Sequence, residues 1–209
     1  MHDYLTVDGR KISKSAGATV DPVALVDAYG TDQLRWTLLR SVPKVGDTDF
    51  TVAVLVGRTN TELVNGLGNL VNRVVSMVHR YLDGRPPTGP TGELTGEDDA
   101  VVRRLSLAVV DFDFRRASGV VWDLVVAANR YVNRTKPWDL ARGGDPALSS
   151  VLAGLLAACR RIGVLLVPFL PDTARPITEQ CTAVGTADAT LPPPRPLFSR
   201  VVAPTGAVG

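Results

Sequence analysis

Two ammonium groups and two hydroxyls stand together in Lys11-Ile12-Ser13-Lys14-Ser15, on a backbone loosened by Gly9 and Gly17. Mobile cations so placed can follow a phosphate chain through a reaction and offset the charge that develops on it. A different chemistry is available farther along. Asn69 and Arg73 are four residues apart, hence neighbours on a helix surface, and both side chains can make paired hydrogen bonds to the edge of a base. A second polar group, Asn129, Arg130, Asn133 and Arg134, precedes Pro137-Trp138. Trp138 sets an indole beside these polar groups. Each signal also has a plainer reading: an idle solvated loop, a polar face made of poor helix formers, and a ring that caps a core.

The elements that must position these residues are mostly helical. From Thr59 to Leu82, Leu63, Leu67, Leu70, Val74, Met77 and Tyr81 recur at steps of four and three, with Val64, Val71, Val75, Val78 and Leu82 beside them. This is the period of a helix with one wide buried stripe. Its opposite face reads Asn65, Asn69, Asn72, Arg73, Ser76 and Arg80. A later helix sets Ala117, Val121, Leu124, Ala128 and Tyr131 against its own amide-and-guanidinium face and stops at Pro137.

Before these, Tyr4, Leu5 and Val7 with Asp8-Gly9 predict a strand entering a tight turn, its partners expected upstream in a larger fold. Asp21 and Pro22 predict a helix start, Gly30 its stop, and Thr31 or Asp32 the cap of a second helix ending near Ser41. The run Gly84 to Gly96 reads as a linker, Thr95 and Asp98 as a cap for a helix reaching about Val110, and Asp111 to Asp113 as a break. Asp145-Pro146 starts an apolar, central helix that Pro168 and Pro171 end. A last helix spans Asp172 to about Ala183, and the Pro-rich stretch after it is extended or disordered, with Leu197 and Phe198 able to dock. The expected fold is mainly α: an antiparallel helix bundle preceded by a short strand, a loop and a two-helix segment.

Composition narrows the field less than placement does. The 209 residues carry a formal charge of +2 and 45% apolar content, so bulk charge does not argue for nucleic acid. Cys159 and Cys181 fit reduced structural thiols. The histidines, His2 and His79, are isolated, and no spacing suits a metal. Val151 to Leu170 is the nearest thing to a membrane span, but Cys159, Arg160 and Arg161 interrupt it, so a buried helix in a cytoplasmic protein is expected.

Lys11-Ile12-Ser13-Lys14-Ser15 resembles the Lys-Met-Ser-Lys-Ser loop of class I aminoacyl-tRNA synthetases. Three later stretches are similar to methionyl-tRNA synthetases in particular: Val20-Asp21-Pro22, then Tyr29-Gly30-Thr31-Asp32-Gln33-Leu34-Arg35-Trp36, then Gly46-Asp47-Thr48-Asp49-Phe50. Glu62 to Arg73 resembles the first anticodon-reading helix of that family, and Ala128 to Ala141 its second anticodon motif.

The resemblance implies a class I anticodon-binding bundle over residues 51–185. Before it, residues 1–50 would hold the signature loop and a stem-contact segment, and after it 186–209 form a Pro-rich tail. It implies Lys11 and Lys14 as catalytic groups in an ATP-binding loop of Lys11, Ile12, Ser13, Lys14 and Ser15. Asn69, Arg73 and Trp138 would bind the anticodon, with Asn65, Arg80, Asn133 and Arg134 as a supporting RNA face. The implied partner is tRNA-Met, with neither DNA nor membrane. The family's His-x-Gly-His motif, methionine pocket and zinc insertion are missing from this sequence. ATP, with magnesium, would therefore be a cofactor only in an enzyme completed by an N-terminal catalytic half, and no zinc is expected in this chain. The other reading is a stand-alone tRNA-binding module with a vestigial loop.

Overall fold

Asp21 accepts a hydrogen bond from the Val23 amide at 2.9 Å, and Pro22 takes the first helical position. Together they start α1 (Pro22–Tyr29), because the carboxylate satisfies an end amide that the helix itself cannot and proline has none to lose. Gly30, at φ 95°, ends α1 and opens α2 (Thr31–Ser41). The computed structural model describes residues 5–7, 10–11, 20–91, 94, 98–185 and 189–203. Ile12, Ser13, Lys14 and Ser15 lie outside these, as does the proposed Thr95 cap, and Lys11 is described in its backbone alone.

The strand β1 (Leu5–Val7) finds its partners downstream, contrary to expectation. It pairs antiparallel with β2 (Arg10–Lys11) and parallel with β3 (Thr48–Phe50), in the order β2-β1-β3. The parallel partner is supplied by the chain's return after α2, a long-range pairing that local patterns do not encode. Phe50, Leu25, Tyr29, Leu34 and Leu55 form a small core there.

Thr51 caps α3 (Val52–Arg58), accepting from the Val54 amide at 3.1 Å. The continuation departs from the uniform helix expected over Thr59 to Leu82. Thr59–Gly68 is π-helical, and the regular helix α4 (Asn69–Leu82) begins only at Asn69. The buried stripe still forms, with Leu63, Leu67, Leu70, Val71, Val74, Val75, Met77 and Val78 buried.

α5 (Asp98–Val110) and α6 (Phe114–Thr135) are separated by the break expected near Asp111, where Phe112 has φ 56° and Asp113 caps α6 through the Arg116 amide. α7 (Pro137–Gly143) is a short added helix, α8 (Ala147–Leu166) is central, and α9 (Pro171–Gln180) ends before Ala183. Asp145 accepts from the Ala147 amide at 2.8 Å and so starts α8 as its sequence suggests. α8 passes the length and hydropathy test of a membrane span, but 61% of that stretch is buried within the protein. It packs on α4, α6, α7 and α9.

Gly163 lets α8 and α9 approach: a Cβ there would lie 2.9 Å from the Ile177 Cγ2 and Thr178 Cγ2 methyls. Cys159 and Cys181 are free and buried beside one another. Their mutual hydrogen bond, then burial, hold the Cys159 thiol well above its usual range, so it stays neutral. The described part of the tail, residues 189–203, is docked on the body. Leu197 and Phe198 pack on the main core, and Asn60 donates to the Val201 carbonyl at 2.7 Å and accepts from its amide at 3.0 Å.

Because the α8–α9 contact leaves no room for a branched side chain, Gly163→Val is expected to destabilise the fold by about 1–3 kcal/mol. A lowered urea midpoint at constant slope is the measurement that checks it.

Candidate nucleic-acid interface

Trp138 is placed by a turn that neither neighbouring helix could make alone. α6 ends at Thr135, and Lys136 adopts a left-handed conformation with φ 44° and ψ 65°. Pro137 then opens α7, so the proline that stops one helix starts the next. Trp138 falls in the first turn of α7 and is half-buried: it packs against the main core yet keeps part of its ring in contact with solvent. The ring is neither sealed in the core nor idle on the surface.

Arg73 comes to it from α4. Its guanidinium carbon lies 5.8 Å from the Trp138 ring centroid, a cation–π contact worth about 0.5–1 kcal/mol at a partly exposed site. Residues 65 positions apart are thus brought together by the packing of α7 on α4. Beside the ring, Asn72, Arg73, Ser76, Met77, Arg80, Tyr81 and Trp138 line a shallow cavity of about 290 Å³. A neighbouring one of about 410 Å³ is lined by Arg80, Tyr81, Trp138, Ala141 and Arg142. Two further guanidinium groups lie near rings, Arg80 at 5.6 Å from Tyr81 and Arg134 at 5.2 Å from Tyr131. Around the two cavities the rings of Tyr81 and Trp138 stand beside the guanidinium groups of Arg73, Arg80 and Arg142, an arrangement that suits unpaired bases with their phosphates.

The other expected residues divide. Asn69 is the first residue of α4, exposed, one turn before Arg73. Arg80 borders both cavities. Asn133 and Arg134 are exposed on the last turn of α6. Asn65 is exposed in the π-helical stretch, where its Oδ1 accepts from the tail's Arg200 at 3.4 Å, so it is already engaged within the protein.

Asn129, grouped with the polar face of α6, has a different task. Its Nδ2 donates to the Gly66 carbonyl at 3.2 Å and to that of Val125 at 3.0 Å. Sequence reasoning missed Tyr81 and Arg142 as members of the surface. Tyr81 fits the apolar stripe, and Arg142 becomes recognisable only once α7 is known to be a helix, four residues beyond Trp138. A cavity of about 840 Å³ lies elsewhere, bordered by Asp32, Thr173, Gln180, Arg195 and Phe198, and includes none of the expected site residues. Among the described residues no cluster of His, Cys, Asp or Glu could hold a metal ion.

Known proteins share this outline. Residues 1–75 match the family model described as tRNA synthetases class I (M). The methionine–tRNA ligase of Caldanaerobacter subterraneus is 40% identical over 186 residues, covering 86% of this chain and 29% of that protein. That of Bacillus subtilis is 39% identical over 200 residues, covering 91% and 29%. Among solved structures, Mycobacterium tuberculosis methionyl-tRNA synthetase in complex with methionyl-adenylate superposes with a TM-score of 0.86 at 32% identity, covering 94% of this chain and 43% of that one. The free form from the same organism gives 0.79 at 31%, covering 88% and 42%. The chain therefore spans under a third of the length of these two ligases and under half of the two solved chains.

The half-buried position of Trp138 leads to an expectation about stability. Trp138→Ala should leave helicity and cooperative unfolding intact and cost about 1–2 kcal/mol, less than the 3–5 kcal/mol of a fully buried ring. Circular dichroism through a denaturant titration checks it.

Proposed function

From the kinship of this chain with methionyl-tRNA synthetases, to a segment of which it corresponds over most of its length, we propose that it binds tRNA-Met by its anticodon. In this reading Asn69 and Arg73 hydrogen-bond base edges, and Trp138 is the platform on which one splayed base stacks. Arg80, Asn133 and Arg134 serve the adjoining backbone. Asn65 contributes less, because Arg200 already occupies its oxygen. The observation that carries the proposal is the Arg73 guanidinium held over the half-buried Trp138 ring.

Magnitudes say what happens when RNA arrives. The guanidinium contact is worth about 0.5–1 kcal/mol, whereas base stacking on an aromatic ring is worth about 1–3 kcal/mol. A base therefore displaces the guanidinium from the ring, and the freed fork turns to a base edge or phosphate, where bidentate bonding outweighs what it gave up.

The N-terminal segment has a second task in this reading. The loop Lys11, Ile12, Ser13, Lys14 and Ser15 begins at the last residue of β2, and joined to a nucleotide-binding body it supplies cations to ATP phosphates during methionine adenylation. Lys11 and Lys14 are the residues that act. The sequence has no His-x-Gly-His motif, so the body must come from outside residues 1–209, and magnesium would arrive with the nucleotide.

Two measurements test these proposals. The chain should bind tRNA-Met at least about tenfold more tightly than the same tRNA with an altered anticodon, and Trp138→Ala should weaken binding by about 1–3 kcal/mol; equal affinities would remove the anticodon reading. With a nucleotide-binding half added in trans, methionine-dependent ATP–pyrophosphate exchange should appear. Lys14→Ala should lower that exchange without changing anticodon affinity, and exchange insensitive to Lys14 would sink the role of the loop.

A further inference from the structure

Immediately upstream of Asn69 the helix takes its wide turn, and the contacts that hold this turn converge on Gly66. A Cβ on Gly66 would stand 2.4 Å from the Trp122 Cη2, closer than real atoms approach. The position is therefore open only to glycine while Trp122 stays where it is. Trp122 is braced from behind: its ring centroid lies 6.1 Å from that of Trp36, at 58°. Trp36 is 1% exposed and donates through Nε1 to Glu62 at 2.7 Å.

The carbonyl of Gly66 is equally occupied. It accepts from the Asn129 side chain at 3.2 Å and shares the backbone amide of Asn69 with the Val64 carbonyl, the partner five residues back that makes the turn wide. The amide of Asn69 is thus divided between the wide-turn bond and the carbonyl that Asn129 grips. A π turn carries one extra residue relative to an α turn, and each residue of a helix is about 100° of rotation. Whether the wide turn is kept decides where side chains at its exit point. The buried stripe of α4 anchors Arg73 from below, through Leu70, Val74 and Met77, whereas Asn69 sits at the junction and follows the turn.

We propose that Gly66, Trp122 and Asn129 are positioning residues that aim Asn69, and through it set the specificity of anticodon reading. The inference rests on the function proposed above. Trp122 acts as a gauge that admits only the backbone at position 66, and Asn129 locks the carbonyl that the gauge leaves in place.

Gly66→Ala pushes against Trp122 and should lower the ratio of affinities for tRNA-Met over an altered-anticodon tRNA by about tenfold. The double variant Gly66→Ala/Trp122→Leu, which gives the new methyl room, should return that ratio to within about threefold of the unaltered chain. Loss of stability alone would move the unfolding midpoint but not the ratio among folded molecules. If Gly66→Ala does not fold, Asn129→Asp replaces it: the carboxylate has the same shape but cannot donate to Gly66, and the same fall is expected. A folded variant that discriminates as well as the unaltered chain overturns the gauge and leaves the anticodon reading standing. If the unaltered chain does not discriminate, the anticodon reading fails and the gauge falls with it.

Discussion

The carboxylate of Glu62 is the joint on which the arrangement depends. It lies in the first turn of the π-helical stretch and is mostly withdrawn from water, with 15% of its side chain exposed. It accepts from Trp36 Nε1 at 2.7 Å, Arg40 Nε at 3.3 Å and an Arg58 terminal nitrogen at 2.6 Å. Taking a carboxylate out of water costs several kcal/mol, and short charge-assisted bonds are what offset it. Two of the donors sit on α2 and one on α3, so the charge is satisfied only when the two-helix segment is seated against the helix that carries Asn69 and Arg73. An apolar contact of equal area would tolerate sliding. A buried charge with directional partners does not.

α2 is tied elsewhere by the same kind of bond. Asp32 accepts from the Thr173 amide at 2.8 Å and hydroxyl at 2.6 Å, and Arg35 donates to the carbonyls of Pro168 and Phe169 at 2.8 and 3.1 Å. Those carbonyls belong to the turn between α8 and α9, where the helix-ending prolines leave acceptors without helical partners. One short helix therefore holds the π-helical stretch that leads into α4 and the end of the bundle in fixed relation. Motion at one is resisted at the other.

Helix starts were legible where local chemistry writes them: Asp21 with Pro22, and Asp145 before Pro146, are caps that the sequence marks and the structure uses, whereas Thr51 and Asp113 show themselves as caps only in the structure. What was not legible depends on partners distant in the chain. The parallel partner of β1 lies at Thr48–Phe50, and nothing in the strand itself names it. The wide turn at Thr59–Gly68 hides behind an apolar repeat that satisfies either helix period over so short a span. That Arg73 and Trp138 share one surface is what the resemblance of the two motifs to one family implied. The left-handed Lys136 that delivers the ring, and the diversion of Asn129 and Asn65 into internal bonds, are visible only in three dimensions. An exposed amide and one that spans two helices read alike as polar letters on a helix face.

Asn60 and Val201 exchange both of their hydrogen bonds across 141 positions of sequence, while the Phe198 ring settles where Gly68 leaves a notch. Contacts so remote in sequence are entropically late, and the Asp32–Thr173 bond that joins α2 to α9 spans the same 141 positions, so the clasp closes in the same late stage of folding that closes the bundle.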